Sequence, residues 1–177
     1  MGDSQPRRIE ERLARELGLA LVLLALALVQ VTLLTGLAGF SVPILLVLAI
    51  ARALVGAGTA EPVRGLMRGV WWAFYGGLAL DVLGTMPLGS HAVAQLLAVV
   101  IVSLAARRFA VERPLVPLLA VAIGTVIYEV TLALITSPVI ADWQRYGLVV
   151  VAPSVLLALI PTLPAVAIVY RLVRADG

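Results

Sequence analysis

Six long apolar runs separated by short polar breaks set the pattern of the chain: residues 17–40, 42–57, 66–83, 88–106, 114–136 and 146–170. A membrane crossing takes about 20 helical residues. The pattern therefore predicts an all-α integral membrane domain over residues 17–170 with six transmembrane helices. The first run, Leu17–Phe40, carries no charge, and Gly36, Gly39, Ser41 and Pro43 then punctuate a tight reversal. The second is the weakest. It is charge-free only from Val42 to Ala51 before Arg52 interrupts it near its exit, from where a long side chain can snorkel to the headgroups. Its apolar part ends at Val55, and Gly56–Arg68, with Glu61, Pro62, Arg64 and Arg68, reads as a loop. Gly84-Thr85-Met86-Pro87 is a turn, Arg107 to Arg113 form the next break, and Pro114 opens the fifth run. The sixth contains Pro153, Pro161 and Pro164, which are expected to kink or segment it.

The ends are polar. In residues 1–16, Ser4 can cap a helix with Pro6 in its first turn, and Ile9, Leu13 and Leu17 recur every four residues. Arg7, Arg8, Arg12 and Arg15 alternate with Glu10, Glu11 and Glu16, and Glu11 to Arg15 has the favourable i,i+4 order. A short amphipathic helix on the membrane surface is expected there. The apolar run that follows is too long for the core of a cleaved signal peptide. Residues 171–177 form a tail with Arg171 and Arg174.

Composition narrows the class. Of 177 residues, 62% are hydrophobic and 13% charged, and the mean hydropathy is +1.10, where an average soluble domain has about a quarter charged. That excludes a disordered chain and leaves no room for a soluble catalytic domain. Without cysteine, neither disulfide stapling nor thiol chemistry is possible. All 13 basic residues are arginine. They fall at the ends of apolar runs and not on one accessible face, so a pI near 10 does not point to nucleic acid. With six spans, twelve arginines lie on the side of the termini and only Arg145 on the other. The positive-inside rule then puts both termini in the cytoplasm.

A few residues break the apolar pattern. Gly65, Gly69, Ala73, Gly77 and Asp81 follow one another at intervals of four, making a small-residue ridge on one face of the third span. Such a ridge lets another helix approach closely, either within the bundle or from a partner. Trp71, Trp72, Phe74 and Tyr75 lie on the opposite surface. Arg52, Asp81 and Glu129 are ionisable groups within apolar runs, where such groups face a bundle interior, a cavity or a partner. Asp81 and His91 flank a tight turn and are expected to come close. Asp81 beside Gly84-Thr85 fits a carboxylate that caps a loop through backbone N–H groups. With Glu129, the two residues could alternatively build a metal or proton-relay site. Glu129 itself is left with partner contact, internal pairing or protonation as open roles. Phosphate loops, nucleophile elbows and zinc-protease motifs are missing, so no catalytic residue, cofactor or metal is expected.

The stretch Gly76-Gly77-Leu78-Ala79-Leu80-Asp81-Val82-Leu83-Gly84-Thr85-Met86-Pro87-Leu88-Gly89 resembles the signature of the bacterial rod-shape-determining protein MreD family. Its marks are Gly77-Leu78, Asp81, and the turn ending in Pro87-Leu88-Gly89. The number of runs, the cytoplasmic termini and Pro43 near the start of the second span fit the same layout. The resemblance implies a non-catalytic, multi-pass protein of the bacterial cytoplasmic membrane, surrounded by lipid and acting in cell elongation. The implied partners are an MreC-like protein, the cytoskeletal MreB on the cytoplasmic side, and RodA with a class B penicillin-binding transpeptidase. It also implies a fold similar to the substrate-binding subunits of energy-coupling-factor transporters, so that a vitamin-type binder is the alternative. Those subunits often dock through an Ala-x-x-x-Ala ridge on span one; here the ridge lies on span three. The expectation is that Gly65 to Asp81 and the outer ends of spans three and four position partner segments.

Overall fold

A computed structural model describes residues 5–34, 42–59, 61–106, 115–136 and 142–175, and every regular element among them is helical. Helix α1 runs Gln5–Val29 and widens into a π turn, Gln30–Leu34. Helices α2 (Ile44–Ala57), α3 (Pro62–Leu83), α4 (Ser90–Ala106) and α5 (Leu115–Thr136) follow. The last helix, α6, joins Trp143–Tyr146, a π turn Gly147–Val151 and Ala152–Ala175. Two helices, Leu115–Thr136 and Trp143–Arg174, are long and apolar enough to cross a membrane; Glu16–Thr32, Ile44–Ala57 and Ser90–Ala105 are shorter apolar helices.

The short second run turns out to be the centre of the bundle. Helix α2 touches all five other helices, and from Leu45 to Gly56 every residue except Leu48 is buried. Fourteen residues rise only about 21 Å, less than the roughly 30 Å of a bilayer core. A helix walled in by protein on all sides need not match that thickness. Leu46, Ile50, Ala53 and Leu54 pack with Ala73 of α3, Ala94, Ala98 and Val99 of α4, Val121 and Tyr128 of α5, and Ala158 of α6. Helix α1 lies outside this core, with Leu23 and Ala27 against Leu45 and Leu80. Pro43, in the N-cap position of α2, has no side-chain cap to give. The Leu45 N–H instead donates to Gln30 Oε1 of α1 at 3.1 Å.

Several expected boundaries shift. From Gln5 the N-terminal segment is continuous with α1; Gly18, the weakest helix former at the junction, does not interrupt it. The Gly56–Arg68 loop shrinks to a few residues, because Pro62 opens α3 at a position where its missing N–H costs nothing. The prolines do not segment the last helix: Pro161 and Pro164 lie inside continuous helix. The deviation falls at the π turn Gly147–Val151, just before Pro153, where a wider turn accommodates the proline ring and the missing donor.

The largest correction concerns the ridge. Gly65, Gly69, Ala73, Gly77 and Asp81 are all buried, and their neighbours belong to this chain. A Cβ at Gly65 would overlap the Gly56 backbone, and one at Gly77 would overlap the backbone of Ala92. At Gly69 it would lie 2.5 Å from the Ala53 side chain. The ridge is therefore spent on bringing α2 and α4 against α3, and is not open to a partner helix.

The surface is apolar and part of the interior is polar. Leu17, Leu21, Leu97, Leu119, Ile123, Leu156 and Ile160 are among many exposed large hydrophobics, while Arg52, Asp81, Gln95, Thr125, Glu129 and Thr162 are buried. Soluble monomers rarely expose apolar surface on this scale. The two ends of the bundle also differ. Ala51 and Val55 of α2 pack on Val169 of α6, which puts Arg171 and Arg174 at the same end as Arg52, Arg64 and Arg68. Arg145 lies at the other end, beside Tyr146, whose hydroxyl reaches Glu129.

Candidate functional site

At the end opposite the arginines, the turn between α3 and α4 is closed by one side chain. Gly84 N–H bonds back to the Leu80 carbonyl at 2.7 Å and ends α3. One turn earlier, Asp81 is only 4% exposed and reaches across to the start of α4. Its Oδ2 accepts from Gly89 N–H at 2.9 Å and from Ala92 N–H at 3.3 Å, and its Oδ1 accepts from His91 N–H at 2.9 Å. These N–H groups lie at the helix start, where donors have no partner within the helix and the dipole favours an anion. Gly89 makes the convergence possible with φ +96, a region costly to any residue with a Cβ. Ser90 Oγ and N–H both donate to the Pro87 carbonyl, at 2.7 and 3.1 Å. Gly77, Asp81, Pro87 and Gly89 thus have separate tasks in one corner: close approach, clamp, carbonyl acceptor and positive φ. Leu88, at 77% exposed, and the half-buried Leu78 take no part in the hydrogen bonding.

His91 comes close to Asp81 through its backbone. Its ring faces α5 instead: Nδ1 and the Tyr128 hydroxyl are 2.6 Å apart and the two rings stack at 6.0 Å. Tyr128 is 1% exposed. The next residue, Glu129, is rotated by about 100° on the helix and faces α6. There the Tyr146 hydroxyl donates to the Glu129 backbone carbonyl oxygen at 3.3 Å. Asp81, His91 and Glu129 therefore do not form a ligand triad. Each is held by a different partner, and no group of three His, Asp or Glu side chains that could hold a metal occurs among the described residues.

The corner ties together α3 and α4 through Asp81, α4 and α5 through His91–Tyr128, and α5 and α6 through the Tyr146 hydroxyl on the Glu129 backbone carbonyl. Chemically it is a static brace: the Asp81 oxygens are occupied by backbone donors, which suits holding two helices at a fixed angle. Tyr128, Tyr146, Ser154 and Gln30 were not singled out from sequence. A signal existed for the first, since Tyr128 sits beside a glutamate inside a long apolar run. Gln95 lies one helical turn after His91 and is fully buried, with its Oε1 beside Gly76, so its i,i+4 spacing was also readable. Arg52, expected to snorkel outward, is only 6% exposed and lines a cavity at the arginine-rich end. No protein-family model, curated protein or solved structure matches the chain.

Proposed function

We propose that this protein is an MreD-like, non-catalytic scaffold of the bacterial cell-elongation complex. It spans the cytoplasmic membrane six times with both termini inside, and it positions an MreC-like partner and, through it, MreB, RodA and the class B transpeptidase. The observation that carries the reading is the corner built by Gly77, Asp81, Pro87 and Gly89. The residues that give the stretch Gly76–Gly89 its MreD-like character are also those that fix the α3–α4 angle. A rigid, fully hydrogen-bonded corner at the outer end of a bundle suits a protein that presents a surface and turns over no substrate.

Two further features support it. The surface is apolar over most of its helices, as lipid requires. The described arginines 52, 64, 68, 171 and 174 gather at one end and Arg145 lies at the other, the asymmetry of a cytoplasmic and an outer face. With the ridge consumed inside the bundle, the faces left for a partner are those outside it, including Val82, Met86 and Leu88 around the corner, which are 63%, 41% and 77% exposed. The test is complementation. Expressed in a rod-shaped bacterium depleted of its own MreD together with the matching MreC, the chain should restore rods. Cells that stay round while the chain is present in the membrane would contradict the proposal.

A further inference from the structure

Neighbouring helices explain the glycines of the ridge, but not Gly76. A Cβ at Gly65, Gly69 or Gly77 would overlap α2 or α4. At Gly76 the nearest atoms to a Cβ would be Gln95 Oε1 at 3.5 Å and Leu45 Cβ and Cδ2 at 3.6 Å, which are ordinary contacts. Its φ is not positive, and glycine inside a helix lowers the folding constant about five-fold relative to alanine. Neither packing nor backbone therefore accounts for the missing methyl. Gln95 raises the complementary question. It is 0% exposed, yet among the described residues neither its Oε1 nor its Nε2 has a hydrogen-bond partner, which is costly for a buried amide. We propose that one internal water molecule is bound between α3 and α4, in the methyl-sized space at Gly76, hydrogen-bonded to the Gln95 amide.

Size and chemistry select water as the occupant. Its share of liquid volume is about 30 Å³, close to that of a methyl group. A shift of about 0.6 Å from the Cβ position toward Oε1 brings its oxygen to hydrogen-bonding distance. A primary amide holds one water through both its oxygen and the N–H on the same side, so a single molecule partners both atoms. Leu45 walls the space with apolar carbon, and a neutral amide gives an ion nothing to compensate its charge. Ser103 Oγ and Thr125 Oγ1 are also buried without partners, but a helical hydroxyl can turn to the carbonyl four residues earlier, as those of Thr131, Thr136 and Thr162 do. The longer Gln95 side chain has no such recourse within its own helix. The site lies just inward of the Asp81 clamp, since Gly77 meets Ala92 and Gly76 meets Gln95.

A double-mutant cycle in mixed micelles reads the site. Gly18→Ala, with nothing within 4 Å of the new Cβ, is the control and should raise the folding constant about five-fold. Gly76→Ala puts its methyl where the water sits and strands the amide, a loss of about thirty-fold, so the folding constant should fall about five-fold net of the helix gain. In the Gln95→Met background no amide is left to strand, and Gly76→Ala should instead raise the constant about five-fold. The water itself is read by nuclear magnetic resonance on protein with isotope-labelled glutamine. Cross-relaxation from water to the Gln95 side-chain amide protons, assigned by their loss in Gln95→Met, should be present in the parent and gone in Gly76→Ala. Relay through a nearby hydroxyl would survive that substitution. A change of the same sign at Gly76 in both backgrounds, or a water signal that is absent from the parent or persists in Gly76→Ala, would overturn the assignment.

Discussion

Removing the Asp81 carboxylate should loosen the α3–α4 corner by an amount that its hydrogen bonds set. Two of its three bonds are short, at 2.9 Å to Gly89 and His91, while the third, to Ala92 at 3.3 Å, is weak. A hydrogen bond to a charged acceptor is worth about 1.5–3 kcal/mol, and loss of a helix cap alone costs about 0.5–2 kcal/mol. His91 is half-buried, so its amide can partly rehydrate, whereas the Ala92 amide is buried. Asp81→Ala should therefore destabilise the protein by about 3 kcal/mol. Asp81→Asn keeps one acceptor oxygen but loses the charge and the second acceptor, and should cost about 1–2 kcal/mol. Gly89→Ala should add about 1–2 kcal/mol of backbone strain at φ +96. Because Gly89 holds that φ to deliver its N–H to Asp81, the double variant should lose less than the sum of the two. Equilibrium denaturation in mixed micelles, followed by tryptophan fluorescence, measures all four proteins. An Asp81→Ala variant within about 0.5 kcal/mol of the parent, the usual scatter for a surface change, would refute the clamp. Strict additivity with Gly89→Ala would refute the coupling.

The ridge yields a sharper outcome: Gly65→Leu and Gly77→Leu should fail to accumulate as folded monomer in detergent, since each drives side-chain atoms into the backbone of Gly56 or Ala92. Folded protein with a selective loss of partner binding would instead restore the ridge as a docking face. Tyr128→Phe should cost about 1 kcal/mol in the same denaturation assay, by removing the hydrogen bond to His91. Tyr146→Phe should cost at most about 1 kcal/mol, by removing the long hydrogen bond to the Glu129 backbone carbonyl; a loss above about 2 kcal/mol would contradict that single-bond role.

How far the sequence reaches depends on the kind of force involved. Apolar runs report helices faithfully here, because a long apolar run without turn residues can satisfy its backbone groups within its own segment. The six runs accordingly correspond to the six helices among the described residues. The capping role of Asp81 was readable from its place beside a tight turn. Rank within the bundle was not. The run with the shortest charge-free stretch became the central helix, since protein neighbours and not lipid surround it, and periodicity does not distinguish those two apolar environments. The ridge was visible as a ridge, but small residues are demanded equally by internal and external helix contacts, so its partner could come only from the packing of Gly56, Ala53 and Ala92. The pairings His91–Tyr128 and Gln30–Leu45 link residues far apart in sequence, and local spacing carries no information about them.

Co-purification with an MreC-like partner tests the scaffold role most directly. Co-expressed with the MreC of the same genome and extracted in mild detergent, the affinity-tagged chain should retain MreC as a stable complex through size exclusion, and the folded Leu88→Arg variant at the exposed edge of the corner should retain less. Elution of the folded chain free of MreC, with a vitamin-sized molecule bound instead, would contradict the scaffold role and favour a small-molecule binder.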